Sequence, residues 1–178
     1  ILRHDMRHFL MNISSLIENG ENDKAIKYIG EVVSYADNTA VKKYCGNELV
    51  NLIISSFKEE IKKNGIEFKY RFEIPELLPI SEIDLSSILS NAIENAVNAA
   101  KDADEKLIDI YMSKTNGKLL ISVKNTFSKA PEMVNGIPTA SKEGHGYGTQ
   151  SIRYTTEKLK GNCHFTVSGN LFVLQIII

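Results

Sequence analysis

The stretch Asp84 to Ala100, DLSSILSNAIENAVNAA, constrains the fold more than any other part of the chain. Ile88, Leu89, Ala92, Ile93, Ala96 and Val97 recur at helical spacing, which predicts an amphipathic helix with one buried stripe. Ser81 and Asp84 fit a capping box at its start. Asn91 and Asn95 stand four apart and share a face, and Asn98 continues that line about one turn on. A carboxamide lowers helix propensity and must be hydrogen-bonded if buried. Such a row is either a solvated polar face or a set of carbonyl oxygens and amides that holds phosphate groups and a hard metal ion.

Around this helix the chain has the means to build a core. Of its 178 residues, 43% are hydrophobic. The net charge of -1 gives no basic footprint for direct contact with nucleic acid. Cys45 and Cys163 form no CxxC pair and read as reduced thiols of a cytosolic protein. No apolar run reaches the roughly 18 residues of a membrane span. The chain starts mid-pattern at Ile1 without a Met, so a fragment of a longer protein is expected.

Residues 1–19 predict a helix with a seam at Leu2, Met6, Phe9, Ile13 and Leu16, widened by Leu10 and Ile17. Asn19-Gly20 stops it, and Asn22 or Asp23 caps a second helix carrying Ala25, Ile26, Ile29, Val32, Val33 and Ala36. Two helices cannot bury so wide a stripe alone, so a hairpin from a second chain is the expected partner. On the first helix His4 and His8 lie one turn apart. Three readings apply: a variant of the zinc-protease helix, two solvated histidines, or a nucleophilic imidazole at His4 with Asp5 accepting its proton.

Residues 39–46 are ambiguous, with a short strand expected at Val41–Cys45. Asn47 caps a helix bearing Leu49, Leu52, Ile53, Phe57 and Ile61, which ends at Asn64-Gly65. Ile66 to Ile74 alternates strictly between apolar and charged residues, which predicts a half-buried strand closed by Pro75. Leu107–Ser113 and Leu119–Asn125 predict two strands joined at Asn116-Gly117. From Thr126 to about Tyr147 no periodicity appears, which predicts a lid-like loop. It runs into Gly144-His145-Gly146-Tyr147-Gly148, ahead of a helix with Ile152, Thr155, Thr156 and Leu159. Glycines there permit close backbone approach to a ligand, and the helix start favours anions; a flexible hinge is the alternative. Cys163–Val167 and Leu171–Ile178 complete a hairpin at Gly169-Asn170. This order predicts an α/β (α+β) sandwich: a helical hairpin, then a mixed, mostly antiparallel sheet covered on one face by helices.

Taken together these motifs resemble the sensor histidine kinases of the GHKL group, with its Bergerat-type ATP-binding fold. Ile1–Ser15, with LRHDMRH, is similar to the box that carries the autophosphorylated histidine, which places His4 and Asp5 at the catalytic positions. Asp84–Ala99 is similar to the asparagine box, with Asn91 at the phosphate contact and Asn95 at the magnesium ligand. Gly144–Gly148 is similar to the glycine box that closes over ATP. The ending SKEGHGYGTQSI most resembles the peptide-pheromone receptor kinases, which implies nucleotide contacts at Lys142, Gly144, His145, Gly146, Tyr147 and Gly148. Three departures stand out: Asn125 where the family reads adenine with Asp, Asn98 where many relatives have Lys or Arg, and His8 where relatives with phosphatase activity often have Thr or Asn.

The resemblance implies a dimerisation and phosphoacceptor hairpin over 1–40 and an ATP-binding domain over 41–178. It implies ATP and Mg2+ as cofactors, a homodimer through the hairpin, and a response regulator of the LytTR type as partner. The parent is expected to be a bacterial receptor whose membrane segments lie upstream of this cytoplasmic portion. The alternative is a nucleotide-binding GHKL switch or docking module without kinase activity. ATP-hydrolysing relatives need a catalytic Glu one turn before the magnesium-binding Asn, and Asn91 stands there.

Overall fold

The computed structural model describes residues 2–38, 43–134, 136–139 and 147–178, with the side chains at 2–9, 31–38, 139 and 147 outside that description. The chain divides into two compact units, 1–42 and 43–178. Among the described residues no helix is long and apolar enough to cross a membrane.

The first unit is a helical hairpin of α1 (Leu2–Glu18) and α2 (Asn22–Asn38). Gly20 takes a positive φ of 73°, and Glu21 N–H bonds back to the Leu16 carbonyl at 2.9 Å, so the chain reverses as soon as α1 ends. Asn12 Nδ2 donates to the Tyr28 hydroxyl at 3.2 Å and ties the two helices. Ala25 is buried, whereas Leu10, Met11, Ile17 and Ile26 stay exposed.

The second unit begins irregularly. Of the strand expected at Val41–Cys45, Val41 and Lys42 lie outside the described residues, and Lys43–Cys45 is not a strand. The backbone N–H groups of Tyr44 and Cys45 bond instead to Asn51 Oδ1, at 2.8 and 3.0 Å, and Asn51 Nδ2 returns a bond to the Cys45 carbonyl at 2.9 Å. This need draws Asn51 inward on α3 (Glu48–Lys63), and Leu52, expected in the buried stripe, is exposed. Val50, Ile53, Ile54 and Ile61 form the stripe. Asn47 caps the helix by accepting from Val50 N–H at 2.9 Å.

Five strands form the main sheet in the order β1-β2-β3-β7-β6. They are β1 (Glu67–Glu73), β2 (Leu107–Thr115), β3 (Lys118–Thr126), β6 (Asn162–Ser168) and β7 (Leu171–Ile177). β1 pairs parallel with β2 across the crossover helix α4 (Glu82–Ala100), and every other pair in this sheet is antiparallel. At the β2–β3 turn Asn116 and Gly117 have φ of 53° and 77°, the left-handed pair an Asn-Gly hairpin requires. The helices cover one face, where Ile88, Leu89 and Ile93 of α4 meet Ile108, Ile110, Ile121 and Ile176 of the sheet. The interval Thr126–Tyr147 is not structureless throughout. β4 (Glu132–Val134) and β5 (Ile137–Thr139) form a small separate hairpin, turning through Gly136 at φ 75°. Three-residue strands are too short to leave a periodic trace in sequence.

Candidate functional site

The described part of the site lies where α4 meets α5 (Tyr147–Lys158). Two sets of contacts fix their relation. Near the start of α4, Asp84 accepts from Lys158 Nζ at 2.8 Å and from the Ser81 hydroxyl at 2.8 Å. These bonds, Lys158's first, hold the Asp84 carboxyl below its ordinary range, and the pairing raises Lys158. One to three turns along α4, Ser87 Oγ lies 3.4 Å from Ser151 Oγ, and Asn91 Nδ2 lies 3.5 Å from the same hydroxyl. The last turn of α5 thus sits at the first turn of α4, and the first turn of α5 sits at its asparagines. The helices therefore run antiparallel.

The asparagine row is not uniform. Asn91 is buried, and its Nδ2 also donates to the Ser87 carbonyl at 2.6 Å. Both amide hydrogens of Asn91 are thereby engaged. Asn95 is half-buried, and its carboxamide forms no hydrogen bond among the described residues. Asn98 is exposed, and its Oδ1 accepts from Lys101 Nζ at 2.9 Å, so it does not join the other two. The first turn of α5 presses on this face. A Cβ added at Gly148 would lie 3.0 Å from Asn95 Nδ2, 3.2 Å from Asn95 Oδ1 and 3.5 Å from Asn91 Oδ1. Any larger residue there would require the end of the Asn95 side chain to give way, and glycine avoids this.

The donor set is neutral: two carboxamides, two serine hydroxyls and the N–H groups of a helix start. Carbonyl oxygens suit a hard cation, and helix N–H groups suit an anion. The unengaged Asn95 amide and the cradle at Gly148 fit a phosphate chain carrying such a cation.

Asn125 lies apart from this row, at the end of β3, and is 3% exposed. Its Nδ2 donates to the Thr126 carbonyl at 2.9 Å, which leaves Oδ1 as the free acceptor. Thr126 is itself held, since its Oγ1 accepts from Leu107 N–H at 3.0 Å. His4 and Asp5 lie on α1, with side chains outside the description. Lys142, Gly144, His145 and Gly146 lie outside the described residues. Tyr147 opens α5, so the helix starts inside the glycine motif, earlier than Ile152 and its periodic partners indicate. Ser87 and Ser151 were not evident from sequence as site residues. Ser87 stands one turn before Asn91 and Ser151 one turn after Gly148, a spacing meaningful only once the two helices are paired.

Comparison with known proteins agrees with this geometry. Residues 80–178 match the family model of the GHKL domain. An uncharacterized protein of African swine fever virus is 26% identical over 157 residues, covering 85% of this chain; the chain spans 34% of the length of that protein. Among solved structures, the catalytic domain of histidine kinase ThkA superposes with a TM-score of 0.60 at 22% identity, over 74% of this chain and 90% of that one. Full-length ShkA in complex with AMPPNP gives 0.57 at 19% identity, over 72% and 28%. The Acinetobacter baumannii histidine kinase AdeS gives 0.55 at 11% identity, over 98% and 96%. At these identities the likeness is one of fold, and it matches the mixed sheet with helices on one face. With the family model spanning the asparagine helix, α5 and four of the five strands of the main sheet, the chain belongs to the GHKL domain family.

Proposed function

We propose that this chain is the catalytic core of a sensor histidine kinase, with the hairpin over about 1–40 as phosphoacceptor and dimerisation element and 41–178 as the ATP-binding domain. The observation that carries the reading is the contact of Gly148 with the Asn91–Asn95 face, where a glycine-box backbone meets an unengaged carboxamide. The fold shared with histidine kinase catalytic domains supports it.

In this reading the first turn of α5 and Asn91 receive the phosphates, and Asn95 offers its carbonyl oxygen to Mg2+. Such an ion supplies charge neutralisation on the phosphates. Lys142, Gly144, His145, Gly146 and Tyr147 complete the nucleotide's surroundings. Asn125 Oδ1 accepts from the exocyclic amine of adenine, its amide nitrogen being committed to Thr126. His4 is the nucleophile. An imidazole nitrogen forms a bond to the γ-phosphorus as the bond to the bridging oxygen breaks; ADP leaves with that electron pair, and Asp5 takes the ring proton. The phosphoryl group then passes to an aspartate oxygen of a response regulator of the LytTR type as the P–N bond breaks. The exposed Leu10, Met11, Ile17 and Ile26 support a homodimer through the hairpin. The intact His4-Asp5 pair favours a kinase over a nucleotide-binding switch or docking module. We place this core on the cytoplasmic side of a membrane receptor.

Incubation with γ-labelled ATP and Mg2+, followed by mapping of acid-labile phosphate, tests the reading. Label should vanish in His4→Gln, fall sharply in Asp5→Asn and survive in His8→Gln. Label that persists in His4→Gln and disappears in His8→Gln would reverse the roles on α1.

A further inference from the structure

Helix α4 contains no Lys or Arg, and the first basic residue after it is Lys101, the residue that caps it. Helix α5 contains two, Arg153 and Lys158, and each is joined to a carboxylate: Arg153 to Glu157 at 2.7 Å and Lys158 to Asp84 at 2.8 Å. Lys101 differs. Its Nζ donates to the neutral carbonyl of Asn98 at 2.9 Å, and it forms no ion pair among the described residues, although Asp102 follows it in the chain. Of the cations on these two helices, its charge alone is not offset.

Helix geometry says where that ammonium stands. Lys101 closes α4 in helical conformation, with φ -58° and ψ -29°, and its N–H bonds to the Val97 carbonyl at 3.0 Å. Helical side chains lean toward the N-terminus, so Lys101 reaches back along α4. A lysine at a helix end ordinarily serves the carbonyls of the last turn. This one directs its hydrogen bond to a side chain one turn back. Asn98 follows Asn95 by three residues, and residues so spaced share a face, with Cβ atoms about 5–6 Å apart. The Lys101 ammonium therefore stands at the end of the asparagine row.

Helix α5 does not cover that end of the row. It runs antiparallel to α4, from Gly148 beside Asn95 to Lys158 beside Asp84. Asn98 and Lys101 thus lie past its first turn, with Asn98 exposed and Lys101 half-buried. The first N–H groups of a helix point along its axis and out of that end. Continued beyond Tyr147, the axis of α5 runs toward the last turn of α4. An anion held by those N–H groups has the Asn95 carboxamide beneath it and the Lys101 ammonium ahead of it.

We infer that Lys101 is a phosphate-binding residue of the nucleotide site and that Asn98 is its positioning residue; the inference rests on the site proposed above. The described donors of that site are otherwise neutral, whereas a nucleoside polyphosphate brings several negative charges, and a fixed ammonium offsets part of them. Asn98 acts through Lys101. Its carbonyl oxygen is committed to the ammonium and holds it over the row, so less side-chain freedom is lost when the ligand arrives.

Calorimetric titration of the full chain with AMP, ADP and ATP in the presence of Mg2+ tests this. Lys101→Met keeps the apolar stem and removes the charge. It should weaken MgATP binding about tenfold. The loss should grow from AMP to ATP, and MgATP affinity should decline less steeply with added salt than in wild type. Lys101→Arg should restore most of the affinity. Asn98→Ala should weaken MgATP roughly threefold in a chain that keeps Lys101 and have no further effect in Lys101→Met. If Lys101 only caps α4, Lys101→Met will lower the melting temperature and leave the ratio of ATP to AMP affinity and the salt dependence at wild-type values. That result overturns the inference while the site stands. An equal loss from Asn98→Ala in both backgrounds would put Asn98 itself on the ligand and overturn its positioning role. A wild-type chain that binds no MgATP removes the site, and the inference with it.

Discussion

Because relatives read adenine with an aspartate, Asn125→Asp looks like a repair; the structure predicts damage. Asn125 Nδ2 donates to the Thr126 carbonyl at 2.9 Å, and the residue is 3% exposed. Its ladder neighbours, Ile108 on β2 and Phe172 on β7, are apolar and offer no compensating charge. The Thr126 carbonyl cannot easily turn away, because Thr126 Oγ1 is bonded to the Leu107 N–H at 3.0 Å. A carboxylate at 125 would place an oxygen where the amide nitrogen now donates, oxygen facing oxygen. The lost hydrogen bond is worth about 0.5–1.5 kcal/mol, and the buried unsatisfied groups cost about 1–3 kcal/mol more. The sum is roughly 2–4 kcal/mol at pH 7.

Urea unfolding reads this directly. With a slope near 2 kcal/mol per molar, the midpoint should fall by about 1–2 M. Burial favours the neutral carboxyl, so the folded variant's group titrates above its unfolded value of about 3.9. A group raised in this way contributes fully below the unfolded value and loses that contribution as pH rises through the folded one. The deficit should thus shrink as the solution is acidified toward pH 4. Calorimetry should show weaker ATP binding in the variant. An unchanged midpoint at pH 7, or tighter ATP binding, would refute the reasoning.

Three further outcomes follow from contacts elsewhere. Gly148→Ala puts a methyl 3.0 Å from the end of the flexible Asn95 side chain, so the fold should survive while calorimetric MgATP affinity falls about tenfold; unchanged affinity would remove this contact from the site. Gly161→Ala sets a Cβ 2.5 Å from the Ile177 backbone oxygen, where only a backbone shift can relieve it, and should cost about 1–3 kcal/mol in thermal unfolding; an unchanged melting temperature would show that this turn yields freely. The Asp84 carboxyl is held low by Lys158 and Ser81, so its contribution is present above the ordinary aspartate value and is lost as pH falls through the lowered one. Wild type and Asp84→Asn should accordingly differ in unfolding midpoint at neutral pH and converge in acid, and parallel curves would deny the ion pair any role in stability.

Where structure follows from a local rule, the sequence was enough. Asn47 and Ser81 cap α3 and α4 because each has a side-chain oxygen three residues before an orphan N–H. Asn116-Gly117 turns the β2–β3 hairpin because both residues tolerate positive φ. What escaped depended on partners distant in sequence. Asn51 is buried and Leu52 exposed because two backbone N–H groups six and seven residues upstream need an acceptor, a demand that outweighs apolar periodicity. Asn98 continues the asparagine line on a helical wheel, yet Lys101, one turn on, takes its carbonyl into solvent. The start of α5 at Tyr147 was hidden because glycines lower helix propensity in any local reading.

Gly148 is the second residue of α5. Gly148 gives up helix propensity, roughly 1 kcal/mol against alanine. The α4–α5 crossing explains why the position tolerates it: a methyl there would press on the Asn95 carboxamide. Close packing of the two helices and close approach of backbone N–H groups to a ligand thus make the same demand on the same residue. The two uses can be separated. A requirement for packing alone would make Gly148→Ala lower the melting temperature and leave nucleotide affinity intact among folded molecules. A requirement for ligand approach does the reverse, because the clashing atoms lie at the free end of Asn95 and can swing aside at little cost to the fold, but only by leaving the position from which the carboxamide serves the ligand.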